Sequence, residues 1–169
     1  MNRKSFLQAG VILGTSWAAH QGWPWWSSRA SSSIALAGPG EFAIRKSEAE
    51  WQQILTPEQF YVLREHGTEY PGSSPLVHQE APGTYVCAGC AQAVFTSQTK
   101  FNSGTGWPSF YEPIPGSIGT EIDRSWFMTR IEVHCARCGG HLGHVFEDGP
   151  PPTGQRYCIN GVALKFVVA

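Results

Sequence analysis

Five cysteines, at 87, 90, 135, 138 and 158 of a 169-residue chain, carry most of the chemistry legible in this sequence. Cys87-Ala88-Gly89-Cys90 and Cys135-Ala136-Arg137-Cys138 each set two thiols about one tight turn apart. Two such hooks brought together place four sulfurs in a tetrahedron. That set suits zinc, leaves no open coordination position and is structural rather than catalytic. Gly89, Gly139 and Gly140 fit the sharp backbone such hooks need. Disulfides and a redox-active pair are the rival readings; equal spacing in both hooks favours one structural Zn2+ per chain. The long span from Cys90 to Cys135 exceeds that of a compact zinc ribbon, so a β-layer is expected between the hooks.

Cys158 is then left alone. A lone cysteine in a β-run is ordinarily buried filler. Here strand alternation puts Arg156, Cys158 and Asn160 on one face, and an apolar core does not set Arg and Asn beside a packed thiol. A nearby guanidinium favours the thiolate, the nucleophilic form. His141 and His144 supply groups that exchange protons near neutral pH. On a regular strand they would face opposite ways, so their convergence requires a kink or bulge, for which Gly143 is the natural place. Asp148 is either a charge partner for an imidazole or an ordinary turn acid. Trp107, Phe110 and Tyr111 among small residues suggest an aromatic wall suited to a small apolar group such as a methyl, or else a core corner.

The elements that position these groups are short. Ser47-Glu48-Ala49-Glu50 and Thr56-Pro57-Glu58-Gln59 are capping-box patterns. They open helices with Trp51, Ile54 and Leu55, then Phe60 and Leu63, at helical spacing, the second ending at Gly67. Beyond them β-prone runs at 84–87, 93–96, 126–135 and 156–168 alternate with Gly/Pro turns, and Phe127, Ile131 and Val133 share a face expected to line the core. With 19 Gly, 12 Pro and only 15% charged residues, the chain reads as mainly β. Its 12 basic and 13 acidic residues give no electrostatic case for nucleic acid.

The first 37 residues hold Arg3, Lys4 and Arg29 and no acid. A basic start, a mostly apolar run over 6–19 and Ala35-Leu36-Ala37 form an export signal with a cleavage site near Ala37. The run is shorter than a bilayer span. Asn2-Arg3-Lys4-Ser5-Phe6-Leu7-Gln8 resembles the twin-arginine motif, with Lys4 in place of the second arginine. The expected division is a signal peptide over 1–37, a linker over 38–46 and one domain over 47–169, in a periplasmic or comparable extracytoplasmic compartment.

From Leu55 to Phe166 the order and spacing of these motifs resemble the B-type methionine-R-sulfoxide reductases. The resemblance is carried by Leu55–Gln59, both hooks, Ser103–Phe110, His141–Phe146 and Arg156–Asn160. It implies two antiparallel sheets in a tent- or barrel-like arrangement, short N-terminal helices and zinc held opposite the active site. It also implies reduction of the R epimer of methionine sulfoxide, mainly within oxidised proteins. On that resemblance Cys158 is the nucleophile, His144 and His141 the proton-donating and orienting histidines, Asp148 the supporting acid, Arg156 the guanidinium and Asn160 the amide. Trp107 contacts the substrate methyl, and Phe110, from the aromatic wall read above, is expected to bind the substrate beside it. Members with an internal resolving thiol commonly carry it where Thr105 stands, and many have Ser where Gly161 stands. A one-cysteine cycle is therefore expected: Cys158 becomes a sulfenic acid, regenerated by a thioredoxin-like or glutathione-linked thiol. A zinc-braced binding module, or a Cys–His hydrolase, is the alternative class. The protein is expected to be a monomer without a stable membrane span.

Overall fold

The computed structural model describes residues 42–125 and 128–169. The expected signal peptide, its cleavage point, and Trp126 and Phe127 of the third β-run lie outside the described residues. Within the expected linker, Phe42 meets His134 edge-on at 5.6 Å and the Ile44 N–H bonds the Arg137 carbonyl. The chain is thus docked onto the domain before residue 47.

Both capping boxes form. Ser47 and Glu50 satisfy each other's backbone at the start of α1 (Glu48–Ile54), and Thr56 and Gln59 do the same for α2 (Pro57–Glu65). Each cap contributes about 1 kcal/mol. Trp51 and Leu55 are buried, as are Phe60, Val62 and Leu63 of α2. Ile54, expected on the inner face, is 54% exposed, because a seven-residue helix turns only Trp51 fully inward. The second helix stops one residue earlier than expected. His66, at φ 56°, takes the left-handed cap, and Gly67 lies against the Tyr61 ring, which a β-carbon there would push aside.

Nine strands follow among the described residues, all paired antiparallel. β1 (Gly83–Cys87) lies between β2 (Ala93–Thr96) and β9 (Leu164–Val168) in a three-stranded sheet. The second sheet runs β3 (Lys100–Phe101), β4 (Ser109–Phe110), β8 (Arg156–Ile159), β7 (His141–Phe146), β6 (Arg130–Cys135), β5 (Ile118–Asp123). The two expected antiparallel sheets and the short N-terminal helices are therefore present. β5 gives no sequence signal because neither of its faces is buried, so its residues do not alternate. The run expected over 156–168 breaks at a 3-10 turn, Gly161–Ala163, which carries the chain from one sheet into the other.

Between the sheets the core is aromatic. Phe95 and Phe110 stack at 4.3 Å, and Tyr85 meets Phe110 edge-on at 4.9 Å. Val94, Val133, Leu142 and Ile159 close around them, fully buried. Ile131, expected to line the core beside Val133, is 38% exposed, since it pairs with Ile122 of the open edge strand.

Candidate active site

Strand register assembles the site. Across the six-stranded sheet, Ser109 faces Cys158, Cys158 faces His144, His144 faces Glu132 and Glu132 faces Glu121. Directly opposed residues share a face, with β-carbons roughly 5 Å apart, so five strands present one polar row. The imidazoles converge through a bulge. Val133 pairs with Gly143 but His134 pairs with His141, which leaves Leu142 as the extra residue. His141 and His144 then stand 5.3 Å apart, ring to ring, on the same side. The bulge falls one residue before Gly143. That glycine is required for another reason, because a β-carbon there would strike the Cys158 carbonyl oxygen.

Cys158, His144, Asn160 and Trp107 line one cavity of about 130 Å³, with Thr68, Arg130 and Phe146 completing the wall. Asn160 is buried and uses both ends of its amide: Nδ2 donates to the Leu142 carbonyl and Oδ1 accepts from the Glu69 N–H. The Glu69 carbonyl accepts from the Trp107 indole at 3.2 Å, and its carboxylate accepts from the Gly161 and Val162 N–H groups. Glu69, not singled out by its sequence context, thus fixes the indole and the end of β8 together.

The carboxylates serving the imidazoles are two the sequence did not mark. His144 Nε2 lies 2.9 Å from Asp123 Oδ2, which also accepts from Arg130 at 2.7 Å. Hydrogen bonds from Ser125 above all, then from His144 and Arg130, hold Asp123 far below the usual carboxylate range. Burial pulls His144 below its ordinary value, against the opposing pull of Asp123. His141, 2% exposed, points Nδ1 at Glu132 Oε1 (2.7 Å), an oxygen shared with His66 Nδ1 at 3.1 Å. The hydrogen bond to His141 is the main reason Glu132 sits below its ordinary value.

Three expectations change. Phe110 cannot contact a substrate. It alternates with Ser109 on β4, and since Ser109 faces Cys158, Phe110 faces the core at 0% exposure. The aromatic wall is Trp107 and Phe146, the latter two residues beyond His144 on the same face. Asp148 does not orient an imidazole; it grips Arg156 through Nε (2.8 Å) and Nη2 (2.9 Å). Nor does Arg156 make the resting sulfur a thiolate. Burial pushes the Cys158 thiol up; the Thr105 hydroxyl and Arg156 oppose this, while Asp148, having paired the guanidinium, adds to it. Arg156 itself lies over the Phe146 ring at 4.4 Å.

The hooks converge as expected. Cys87 Sγ lies 3.8 Å from Cys138 Sγ, and Cys90 Sγ 3.5 Å from Cys135 Sγ. A tetrahedron with metal–sulfur bonds of about 2.3 Å has edges of about 3.8 Å, whereas a disulfide bond is about 2.05 Å. The hooks share one geometry. Ala91 (φ 58°) and Gly139 (φ 67°) each return an N–H to the first cysteine of the hook. In the first hook the left-handed position therefore falls to Ala91 rather than to the expected Gly89. Cys87 ends a strand of one sheet and Cys135 a strand of the other, so a metal here ties the sheets together.

A family model described as the SelR domain matches residues 55–168. The peptide methionine sulfoxide reductase MsrB of Methanosarcina barkeri is 59% identical over 125 residues, covering 73% of this chain and 88% of the relative. That of Methanosarcina mazei is 60% identical over 124 residues (73% and 89%). Peptide methionine sulfoxide reductase B3 of Arabidopsis thaliana is 49% identical over 145 residues (85% and 80%). The chain belongs to the SelR-domain family, the B-type methionine sulfoxide reductases. It is thereby an oxidoreductase.

Proposed function

We propose that this protein reduces the R epimer of methionine sulfoxide within oxidised proteins, with Cys158 as the nucleophile. The observation that carries the reading is the direct pairing of Cys158 with His144 inside a small cavity walled by Trp107 and Phe146. A methyl group fits such a wall, and the sulfoxide sulfur then reaches Cys158.

Proton logic follows from the resting state. With Nε2 turned to Asp123, the remaining nitrogen of a neutral His144 carries a lone pair. His144 first takes the Cys158 proton, and Asp123 steadies the imidazolium, as in other nucleophile–His–Asp sets. The thiolate attacks sulfur, the imidazolium returns the proton to oxygen, and the S–O bond passes to Cys158. Cys158 loses two electrons and the sulfoxide gains them. The products are methionine and a sulfenic acid. A first external thiol converts that acid to a mixed disulfide and water, and a second releases Cys158. The donor is of the thioredoxin-like or glutathione-linked class, since Thr105 supplies no sulfur. His141, held by Glu132, backs His144, and Asn160, Arg156 and Asp148 hold the strand ends.

In this reading Cys87, Cys90, Cys135 and Cys138 hold one Zn2+, which supplies a cross-link and no step of the reaction. One chain furnishes every group named, so a monomer suffices. Residues 1–37 act as an export signal, which N-terminal sequencing of the mature protein from cell fractions checks by a start near residue 38. Among the described residues no helix is long and apolar enough to cross a membrane. The central test is a stereospecific assay with dithiothreitol. Wild type reduces the R epimer and, without reductant, accumulates sulfenic acid at Cys158. Cys158→Ser abolishes turnover; full activity in that variant would refute the assignment.

A further inference from the structure

Three hydroxyls lead from the buried sheet to the sulfur. Ser109 Oγ lies 3.3 Å from the Trp107 carbonyl oxygen and 2.8 Å from Ser103 Oγ. Ser103 Oγ lies 2.8 Å from Thr105 Oγ1, and Thr105 Oγ1 lies 3.9 Å from Cys158 Sγ, within reach of a sulfur hydrogen bond. Ser109 is fully buried and sits opposite Cys158 across the β4–β8 pair.

Each hydroxyl owns a single proton, and a carbonyl owns none. Ser109 therefore donates to the Trp107 carbonyl and accepts from Ser103. Ser103 is left to accept from Thr105, and Thr105 to accept from the Cys158 S–H. The carbonyl at one end dictates the direction of every bond back to the thiol. A thiolate demands the opposite. If all three hydroxyls turn, Thr105 donates to sulfur, Ser103 to Thr105 and Ser109 to Ser103. The only hydrogen bond surrendered is the longest oxygen–oxygen contact, at 3.3 Å.

We propose that Ser109, Ser103 and Thr105 form a reversible hydroxyl chain that positions the Cys158 sulfur and turns to donate to it when it is ionised. The proposal rests on the reading of Cys158 as nucleophile. No proton travels along the chain, because its far end cannot accept one. Each hydroxyl keeps its own, and the thiol proton leaves through the cavity, to solvent water in the free protein. These are positioning residues, and of the three hydroxyls only that of Thr105 touches the sulfur. The charged and titratable groups around Cys158 are otherwise Arg156 on its own strand, paired with Asp148, His144 on β7, tied to Asp123, and Arg130 on β6.

The test is the pH dependence of iodoacetamide alkylation of the full chain, followed at the Cys158 peptide by mass spectrometry. Thr105→Val keeps the shape and removes the hydroxyl. It is expected to raise the midpoint by on the order of one pH unit, slowing alkylation at neutral pH about tenfold. Ser103→Ala and Ser109→Ala shift it the same way by less, and Thr105→Ser restores it. A wild-type midpoint in Thr105→Val, or a shift in Thr105→Ser as large as in Thr105→Val, overturns the proposal. So does a Thr105 effect that neither serine variant shares. Ser103→Ala, at a half-buried position, keeps the test open if the fully buried Ser109 variant fails to fold. Alkylation does not depend on turnover. A failed chain therefore leaves the Cys158→Ser assay as predicted, whereas a failed catalytic assignment shows in that assay.

Discussion

Asp123 and burial pull on His144 in opposite directions, and burial prevails in the resting protein. A neutral imidazole is what a group must be to take the proton of a thiol that burial has kept protonated. In the proposed mechanism Asp123 then matters most at the moment when His144 is charged. Asp123→Asn removes the upward pull, so the His144 value drops further. The acid limb of the pH–rate profile, which follows His144 becoming neutral, is expected to move to lower pH. At the same time kcat/KM falls by about tenfold to a hundredfold, because the imidazolium loses its anion. A pH–rate profile of the two proteins checks both. An unchanged limb would remove Asp123 from the mechanism.

Two strands, β7 and β8, carry the sulfur and the imidazole, and their close approach depends on Gly143. Gly143→Ala drives a β-carbon into the Cys158 carbonyl, so the strands must part or slide. Overpacking of this kind costs about 1–3 kcal/mol of stability. Misplacing reacting groups by about 1 Å costs on the order of a hundredfold in rate. The variant is therefore expected to melt somewhat earlier by circular dichroism while losing far more activity than the melting shift explains. Equal losses would show that the strand spacing serves folding alone. The bulge at Leu142 acts at the same scale, since without the extra residue His141 and His144 would turn to opposite faces.

The molecule is two sheets with an aromatic core between them and a four-thiol clamp at strand ends drawn from both. A metal bound in the clamp would hold together segments far apart in the chain, and binding free energy at such sites is folding free energy. Mercurial displacement of the thiolates in the presence of a chelator is expected to release one zinc per chain. The melting transition should then broaden and fall, a result scored by a colorimetric zinc assay beside circular dichroism. A released zinc with no change in melting would show that the sheets hold without it.

Features that depend on spacing within a few residues were readable from the chain alone. The hooks, both capping boxes and the shared face of Arg156, Cys158 and Asn160 are of this kind, because turn geometry, helix-end hydrogen bonds and strand alternation are local. The partners of the imidazoles were not readable. Asp123 meets His144 across 21 residues of sequence, and His141 meets Glu132 only through the bulged β6–β7 register. Phe110 looked like a site residue until the pairing of β4 with β8 assigned Ser109, not Phe110, to the sulfur's face. The resting state of Cys158 was misread for the same reason: an arginine two residues away argued for a thiolate, while burial, a property of the packed molecule, favours the thiol. Residue types settled which chemistry was possible; long-range register and desolvation, which no short window contains, chose the groups that take part and their charge at rest.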